Sequence, residues 1–507
     1  MKWLISALCA ASIWTIARQP AAAASTSCES LTSLHLPDAT ITAAQTVASG
    51  AFTPPAGGGR GDAFKSLPAF CRVAATLKPS TDSDIRIEVW LPASGWNGKF
   101  QAVGNGGWAG TISYPAMARA IERGYATGST DTGHAGASAS FALGHPEKLV
   151  DYAYRSEHEM TVKAKAVIAA FYGSAPARSY WNGCSTGGRQ ALVEAQRFPD
   201  DFDGIIAGAA ANPKTHLDAW RIWMAQAMFK DQASVIPVAK FAMIHRAVVD
   251  ACDALDGVKD GLIDDPRRCR FDPGILECKE GDAPTCLTAA QVAAARVVMS
   301  PAKDRKTGAE IFPGFEPGTE LGWARMLSGP DPYATAVDQF KYIVFGRPDW
   351  NWRTFDLERD VAAADRKGEG TLSAIDPDLS AFARHGGKLL MYHGWSDQDI
   401  APRASINFYT SARAATHAPS SNAEWLRLFM VPGMGHCGGG EGPNAFDMMP
   451  PLESWVERGE VPARVVASRV DEGRTVRTRP LCVYPQVARY SGSGGIDDAA
   501  NFVCQAP

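Results

Sequence analysis

A serine lies in a sequence pattern that is typical of an activated nucleophile. Residues 183–187 are Gly-Cys-Ser-Thr-Gly, which matches the G-x-S-x-G turn between a strand and a helix. That turn is strained and its flanking backbones approach closely, so glycines are needed on both sides of the serine. Because the chain contains 48 glycines, the five letters alone are weak support. A strand signal before Ser185 and a helix signal after it complete the pattern and predict that Ser185 is the nucleophile.

A serine hydroxyl needs a base, and the base needs an acid that orients it. In proteins with this nucleophile turn the order along the chain is Ser, then Asp or Glu, then His, each in a loop after a strand. Asp397 follows the apolar run 387–393, and His436 follows the apolar run 425–431. These two residues are the predicted acid and base. Asp399 remains a competing acid two residues further on.

Two other histidines are predicted to have structural roles. His393 lies at a strand end, where a hydrogen-bonded structural histidine is the simpler interpretation. His134 precedes Ser185 in the chain, which is the wrong order for the base. Its alternative role is to line the pocket.

Cysteines border both the predicted nucleophile and the predicted base. Cys184 precedes Ser185 and Cys437 follows His436. If the serine and histidine are within hydrogen-bond reach, the two cysteines could meet the Cα separation of roughly 4.4–6.8 Å that a disulfide requires. Pairing of both elsewhere stays an alternative, since spacing alone does not fix connectivity. Proximity along the chain pairs the other eight as Cys28–Cys71, Cys252–Cys269, Cys278–Cys286 and Cys482–Cys504.

Residues 252–264 combine carboxylates with turn-forming glycines. Calcium binds about six to eight oxygen atoms from carboxylates and backbone carbonyls. The spacing is not that of an EF-hand, and a solvated acidic turn is the alternative. The oxygen donors that could converge are the side chains of Asp253, Asp256 and Asp260 and the carbonyls of Val258 and Leu262.

Strand and helix signals alternate on both sides of Ser185, after a loop-rich start. This alternation predicts a mainly parallel, doubly wound sheet. The predicted strands are 85–91, 99–103, 125–127, 179–182, 204–208, 387–393 and 425–431. The predicted helices of this part are 117–123, 157–172, 188–197 and 403–413.

The alternation breaks between residues 212 and 375, a region rich in Trp, Pro and Asp with helix signals at 237–252 and 288–299. We interpret it as a lid inserted into the core. The predicted organisation is therefore a core in two parts, 25–211 and 376–507, on either side of a lid domain, 212–375.

The composition describes a folded chain with more than one structural unit. Its 507 residues exceed a typical domain, and 46% are hydrophobic against 21% charged. Lys and Arg number 50 against 54 Asp and Glu, a net charge of -4. This balance argues against a nucleic-acid or anionic-membrane partner. No internal apolar run approaches the roughly 20 residues that span a bilayer. The oligomeric state is not predicted.

The first 24 residues are predicted to be a signal peptide. Lys2 gives a basic start, residues 3–16 are apolar, and residues 21–24 are a run of alanines that suits cleavage. Of 11 cysteines, Cys9 would be lost with this segment, which leaves an even set. Ten cysteines in an exported chain predict five disulfides and a secreted or periplasmic protein.

The sequence resembles the tannase and feruloyl esterase family, which also includes the mono(2-hydroxyethyl) terephthalate hydrolases. The order Cys-Ser, Asp, His-Cys carries the resemblance, which covers nearly the whole mature chain. Its motifs are residues 181–189, 198–208, 392–397, 431–439 and 479–482.

The resemblance implies an α/β-hydrolase fold with a large inserted lid domain, and a triad of Ser185, Asp397 and His436. The oxyanion hole should combine the N–H of Thr186, the residue after the nucleophile, with one from an earlier loop. The resemblance places that second donor at Gly107. Spacing alone leaves Gly106 open, and a tight turn without a catalytic role is the alternative. The resemblance also implies a structural calcium ion in the lid, at the residues named above.

The activity implied is hydrolysis of esters of phenolic or aromatic acids by a serine esterase, a carboxylic ester hydrolase acting on a small molecule. Feruloyl and related hydroxycinnamoyl esters come first and gallate esters second. Terephthalate half-esters come third, because no segment of the lid clearly matches the arginine-bearing stretch that those hydrolases use for the free carboxylate, and residues 335–360 instead look like a general feruloyl esterase lid. Trp350, Trp352 and Phe355 in that stretch could stack on an aromatic acid or be core residues. A catalytically inactive exported binding protein is the alternative from another class, and the complete set of reactive residues argues against it.

Overall fold

The computed structural model describes residues 26–55, 58–59 and 61–507. The predicted signal peptide, residues 1–24, lies outside the described residues. The strands are β1 (Ala39–Val47), β2 (Phe70–Leu77), β3 (Ile85–Pro92), β4 (Lys99–Val103), β5 (Ala126–Thr130), β6 (Arg178–Cys184), β7 (Gly204–Gly208), β8 (Ala302–Lys303), β9 (Glu310–Phe312), β10 (Lys388–Gly394), β11 (Leu426–Val431), β12 (Arg464–Asp471), β13 (Arg474–Cys482), β14 (Val487–Tyr490) and β15 (Phe502–Gln505).

The α-helices alternate with the strands in the first and last parts of the chain and dominate the middle. Short 3-10 and π turns connect several of them. The α-helices are α1 (Tyr114–Ile121), α2 (Pro146–Val150), α3 (Ser156–Tyr172), α4 (Thr186–Arg197), α5 (Lys214–Phe229), α6 (Phe241–Cys252), α7 (Ala289–Met299), α8 (Ala324–Leu327), α9 (Ala334–Asp338), α10 (Leu357–Ala364), α11 (Gly370–Leu372), α12 (Ser380–His385), α13 (Arg403–Ala415) and α14 (Met449–Arg458).

Nine strands form the main sheet, in the order β1-β2-β3-β5-β4-β6-β7-β10-β11. From β5 through β4, β6, β7 and β10 to β11, neighbouring strands are parallel. The first three strands are antiparallel to one another, and β3 is antiparallel to β5. Strands β1 and β2 form in the first part of the chain, where the sequence predicts a loop-rich start.

The sheet is covered on both faces, which explains its apolar strands. Successive side chains of a strand point to opposite faces, and in β10 Leu389 and Met391 enter one core while Leu390 enters another. The first core contains side chains of α3, α4, α12 and α13. The second contains side chains of α1 and α14. This is the doubly wound arrangement that the sequence predicts.

The segment that we call the insertion, residues 212–375, leaves the sheet after β7. Its helices α5 to α10 enclose a hydrophobic cluster of their own, with Trp220, Trp323 and Phe340 fully buried. Ile400, Ala401 and Ala404 of the following part join that cluster, so the insertion packs on the loop that follows β10.

The last part of the chain departs from a simple continuation of the core. Strands β12 and β13 form one two-stranded sheet, and β14 and β15 form another. Val258 of the insertion packs with Cys482, Ala488 and Phe502 of these strands. The C-terminal hairpins therefore support the acidic loop rather than extend the main sheet.

No described helix combines the length and the apolar character needed to cross a membrane.

Candidate active site

Ser185 lies at the turn between β6 and α4, at the carboxyl end of a central strand. Its backbone has a positive φ of 64°, a conformation that non-glycine residues adopt at a cost. The surrounding structure holds the turn, because the N–H of Ser185 donates to the carbonyl of Gly208 at 3.0 Å. Its own carbonyl accepts from Arg189 and Ala211.

Two glycines make this turn possible by letting backbones approach closely. A Cβ atom on Gly183 would lie 2.3 Å from the carbonyl oxygen of Gly187. A Cβ on Gly188 would lie 2.2 Å from the carbonyl oxygen of Gly208. Both distances are far below van der Waals contact, so Gly183 of the motif and Gly188 just after it are steric requirements of the turn.

Ser185, His436 and Asp397 form a continuous chain of hydrogen bonds. Nε2 of His436 lies 2.9 Å from Oγ of Ser185, and Nδ1 lies 2.8 Å from Oδ2 of Asp397. The three residues follow β6, β11 and β10, whose parallel carboxyl ends lie at the same edge of the sheet. The structure thus brings together the three residues that the sequence singles out.

Asp397 is fully buried and has a hydrogen-bond donor at each oxygen. Oδ1 accepts from the N–H groups of Asp399 and Ile400, at 2.7 and 2.9 Å. Oδ2 lies 2.8 Å from His436 and 3.0 Å from Nε2 of His393. His393 therefore supports the acid, which is the structural role predicted for it, and Ser405 contacts its Nδ1 at 2.8 Å.

The charges of these groups shift their protonation in opposite directions. Burial raises the pKa of Asp397, but His436 and His393 outweigh burial and hold the pKa well below the ordinary value. Burial lowers the pKa of His436, but Asp397 and Asp399 outweigh it, and the pKa lies above the ordinary 6.5. The carboxylate thus stays ionised and makes the imidazole more basic, which stabilises the imidazolium that forms when the ring takes up a proton.

The structure joins the ten described cysteines in five pairs, four of them the pairs that proximity along the chain predicts and the fifth the bond expected between the neighbours of Ser185 and His436. Cys184 and Cys437 are bonded with their Cα atoms 6.0 Å apart, across a sequence separation of 253. The other pairs are Cys28–Cys71, Cys252–Cys269, Cys278–Cys286 and Cys482–Cys504.

The loop after β4 lies directly beside the start of α4. The hydroxyl of Thr186 donates to the carbonyl of Gly107 at 3.0 Å, and the hydroxyl of Tyr152 donates to the same carbonyl at 2.7 Å. Gly107 has a positive φ of 56°, which turns its peptide sharply. As the first residue of a helix, Thr186 has an N–H without an intrahelical acceptor. Thr186 and Gly107, which carry the two predicted oxyanion donors, are therefore in direct contact in the folded chain.

His134 supports this loop from behind. Its Nε2 lies 2.8 Å from the carbonyl oxygen of Trp108, and its ring stacks on Phe141 at 3.8 Å between centroids. The histidine is buried, in line with the structural role predicted for it.

Comparisons with known proteins connect this site to a family. A family model described as tannase and feruloyl esterase matches residues 71–505. The chain belongs to the tannase and feruloyl esterase family. It is 34% identical to a probable feruloyl esterase B-2 of Aspergillus terreus over 454 residues, which is 86% of each chain. It is 39% identical to an uncharacterized esterase of Xanthomonas campestris pv. campestris, over 95% of this chain and 92% of that protein.

A solved structure supports the same assignment. The crystal structure of feruloyl esterase B from Aspergillus oryzae matches with a TM-score of 0.89 and 31% identity, over 94% of this chain and 99% of that one. The predicted α/β-hydrolase fold is confirmed, and so is the prediction of a carboxylic ester hydrolase acting on a small-molecule ester.

The acidic loop of this esterase is wound back on itself. Oδ1 of Asp253 accepts from the N–H of Asp260 at 3.1 Å, and Oδ1 of Asp256 accepts from the N–H of Val258 at 2.9 Å. A carboxylate oxygen of Asp260 pairs with Arg479. In the described ranges, no group of three or more His, Cys, Asp or Glu side chains is arranged to hold a metal ion.

The chemistry of the loop nevertheless suits a hard cation. Burial, with the nearby charges of Asp260 and Asp253, raises the pKa of Asp256 to about 6. Burial, with the charge of Asp256, raises the pKa of Asp264 to about 8. These carboxylates repel one another in a poorly solvated place, and a bound calcium ion would relieve that repulsion. Leu262, whose carbonyl is a predicted ligand, is buried in the same loop.

The aromatic residues of the insertion have a packing role. Trp350, Trp352 and Phe355 are buried in the core of the insertion. Phe340 stacks on Trp350 at 5.4 Å and meets Phe355 edge-on at 5.1 Å. Of the two interpretations left open by the sequence, core packing describes these contacts.

Sequence reasoning missed two arginines of the insertion that reach the site. Arg325 of α8 donates hydrogen bonds to the carboxylate of Asp399, and Arg221 of α5 donates one to the backbone carbonyl of Asp399. Asp399 itself lies 3.8 Å from Nε2 of His436. The competing acid of the sequence reading therefore contacts the serine side of the histidine, while Asp397 occupies the acid position.

Proposed function

We propose that this esterase uses Ser185, His436 and Asp397 as a catalytic triad and forms an acyl-enzyme. The observation that carries the proposal is the hydrogen-bond chain from Asp397 through His436 to Ser185, with distances of 2.8 and 2.9 Å. Oγ of Ser185 attacks the ester carbonyl while Nε2 of His436 takes the proton. Asp397 orients the ring and stabilises the imidazolium.

The oxyanion of the tetrahedral intermediate is stabilised by the N–H groups of Thr186 and Gly107 in this proposal. Hydroxyl groups of Thr186 and Tyr152 hold the Gly107 carbonyl, so the loop that carries this donor is held in place before the substrate arrives. His436 then protonates the leaving alcohol, and the same base activates the water that releases the acid.

The proposed substrates are feruloyl and related hydroxycinnamoyl esters. Relatives named feruloyl esterase B support this choice, both by sequence and by structure. Gallate esters are the second candidate, because the family model covers tannases as well.

Hydrolysis of a matched panel of esters tests the substrate. The panel consists of methyl ferulate, methyl gallate and mono(2-hydroxyethyl) terephthalate, with Ser185→Ala as the blank. A highest kcat/KM for methyl ferulate is expected. A lead for either other ester would overturn the substrate but leave the mechanism standing.

Covalent labelling with a fluorophosphonate tests the mechanism itself. The wild type should be labelled at Ser185, since the probe reacts only with an activated serine. Ser185→Ala should remain unlabelled. Activity that survives in Ser185→Ala would refute the triad.

We further propose that the protein is exported. The five disulfides support this, since such bonds persist in oxidising compartments. Expression of the full chain, followed by determination of the compartment and of the first residue of the mature protein, tests this proposal. We expect an exported protein that starts near residue 25.

We also propose that the acidic loop of the insertion binds calcium as a structural ion. The ligands would be carboxylates and backbone carbonyls, and the ion would neutralise the buried acids. Metal content after purification and Tm with and without a chelator test this. Asp253→Asn should abolish the chelator effect on Tm, whereas Asp471→Asn, an exposed surface variant, should retain it.

A further inference from the structure

A second carboxylate faces the nitrogen of His436 that has to accept the serine proton. Oδ2 of Asp399 lies 3.8 Å from Nε2 of His436, while Oγ of Ser185 lies 2.9 Å from the same atom. Asp399 is 3% exposed, so little water screens it. The carboxylate therefore lies about 1 Å beyond the hydrogen-bond distance at which it would compete with the serine.

Two arginines of the insertion hold Asp399 at that distance. Nε of Arg325 bonds both carboxylate oxygens, at 2.5 and 2.6 Å. Nη2 of Arg221 donates to the backbone carbonyl of Asp399 at 2.8 Å. Tyr333 links the two, since its hydroxyl accepts from Arg325 at 3.2 Å and its ring lies 5.0 Å from the guanidinium of Arg221.

The consequence for catalysis follows from charge and geometry. An unpaired Asp399 could turn toward Nε2 and form an ion pair with the protonated imidazole. Such a pair would favour the protonated histidine, which is not a base. It would also take Nε2 away from Ser185. A guanidinium on Asp399 opposes both effects.

We infer that Arg325 is a positioning residue that holds Asp399 away from Nε2 of His436 and thereby sets the basicity of the histidine. The inference rests on the proposed function, because it assigns His436 as the base. It makes the insertion a part of the proton-transfer machinery, since Arg325 reaches the core from α8.

The charged and titratable groups near His436 lie on two sides of its imidazole ring. Asp397 lies next to Nδ1 of His436, and His393 contacts Asp397. The other groups lie on the Nε2 side of the ring, either next to Nε2 or in contact with a group that is. These groups are Asp399, Arg325, Arg221, the buried pair Lys214–Asp218 that adjoins Arg221, and the Tyr333 hydroxyl.

The balance of charge supports the inference. Burial lowers the pKa of His436, the two aspartates raise it, and Arg221 lowers it. The histidine is thus held between opposed charges. Because Arg325 pairs with Asp399, loss of its guanidinium would leave the charge of Asp399 unopposed beside His436, and the protonation of the histidine should shift measurably.

The experiment is the pH dependence of kcat/KM in four variants. The substrate is 4-nitrophenyl acetate, a small neutral ester, so that recognition of a larger acid does not enter. The variants are Arg325→Gln, Arg325→Lys, Asp399→Asn and the double variant R325Q/D399N. Arg347→Gln is the matched control, because Arg347 is an exposed arginine of the insertion paired with exposed Asp349.

We expect the acid limb of the kcat/KM profile, which is the rise at low pH as His436 loses its proton, to shift in opposite directions in Arg325→Gln and Asp399→Asn. Arg325→Gln should raise its midpoint by about 0.5 to 1 pH unit and lower kcat/KM at pH 6 by about 3- to 10-fold. Asp399→Asn should lower the midpoint. The double variant should match Asp399→Asn, and Arg325→Lys should lie close to the wild type, as should Arg347→Gln.

Other results would overturn the inference. One is an unshifted midpoint in Arg325→Gln with a loss of rate that is equal at every pH. Another is a shift that persists when Asp399 is already asparagine. If Arg325→Gln does not fold, an unshifted midpoint in Asp399→Asn alone overturns it. Failure of the proposed function looks different, since the wild type would then show no hydrolysis that depends on Ser185.

Discussion

The disulfide between Cys184 and Cys437 joins the residue before Ser185 to the residue after His436. The Cα atoms are 6.0 Å apart, although 253 positions separate the cysteines in sequence. Ser185 precedes the insertion and His436 follows it. The bond therefore ties the two halves of the core together beside the hydrogen bond between Ser185 and His436.

Removal of this disulfide should reduce both stability and turnover. In Cys184→Ala/Cys437→Ala the free energy of unfolding should fall by about 2 to 4 kcal/mol, since the bond closes a very long loop. The kcat should fall as well, because the serine and histidine loops gain freedom. Denaturant unfolding and steady-state kinetics measure the two effects.

The matched control is Cys278→Ala/Cys286→Ala, which opens a loop with a sequence separation of 8 in the insertion. It should cost less stability and leave kcat close to the wild-type value. An equal loss of kcat in both double variants would mean that the Cys184–Cys437 bond has no special role at the site.

Asp397 should be the orienting acid, and Asp399 should not. Asp397→Asn places an amide opposite Nδ1 of His436 and favours the wrong tautomer, so kcat should fall roughly 10³- to 10⁴-fold. Asp471→Asn, an exposed surface change, is the control for the substitution itself. If Asp399→Asn rather than Asp397→Asn caused the large loss, the two roles would have to be exchanged.

Tyr152 should contribute to turnover through the oxyanion loop. In Tyr152→Phe the 2.7 Å hydrogen bond to the Gly107 carbonyl is lost. The Gly107 N–H then becomes less well oriented, and kcat should fall about 10-fold with little change in KM, because the donor acts in the transition state. Steady-state kinetics on methyl ferulate measure both constants.

Tyr172→Phe provides a close control for this loss. Its buried hydroxyl also donates to a backbone carbonyl at 2.7 Å, that of Pro92, at a distance from the site. Both variants should lower stability by a similar amount. A similar fall of kcat in Tyr172→Phe would show that the effect comes from general destabilisation.

The site could be predicted from sequence because its signals are local. The G-x-S-x-G turn follows the strand signal of β6, and the strand-end aspartate and histidine follow the apolar runs that form β10 and β11. The order of these residues along the chain then predicts Ser185 as the nucleophile, Asp397 as the acid and His436 as the base. The motif also predicts Gly183, which close backbone approach requires, since a Cβ atom there would lie 2.3 Å from the carbonyl oxygen of Gly187.

Features that depend on distant packing could not be predicted in this way. Arg325 and Arg221 reach Asp399 across 74 and 178 positions of sequence, and nothing near either arginine indicates that contact. Strand β1 was missed for a different reason. Its residues are mostly Thr and Ala and largely exposed, so the apolar alternation that identifies a strand is weak.

His245 should stabilise the esterase in a way that depends on pH. Its Nδ1 lies 3.0 Å from Glu320, and its Nε2 lies 2.8 Å from Glu441 in the loop after His436. Burial lowers the pKa of His245, but the two glutamates outweigh it and raise the pKa to about 9. The folded state therefore binds a proton that the unfolded chain releases near its ordinary value of 6.5.

The sign of this linkage fixes the expected result for His245→Gln. The stabilisation is complete below about pH 6.5 and is lost as the pH rises through about 9. The Tm of His245→Gln should thus lie about 2 to 4 °C below that of the wild type at pH 6, and the two should converge by pH 10. His145→Gln, on an exposed histidine beside Asp82, should change Tm little at any pH. Calorimetry at pH 6, 8 and 10 makes the comparison, and a difference that stays constant across this range would contradict the bridge between Glu320 and Glu441.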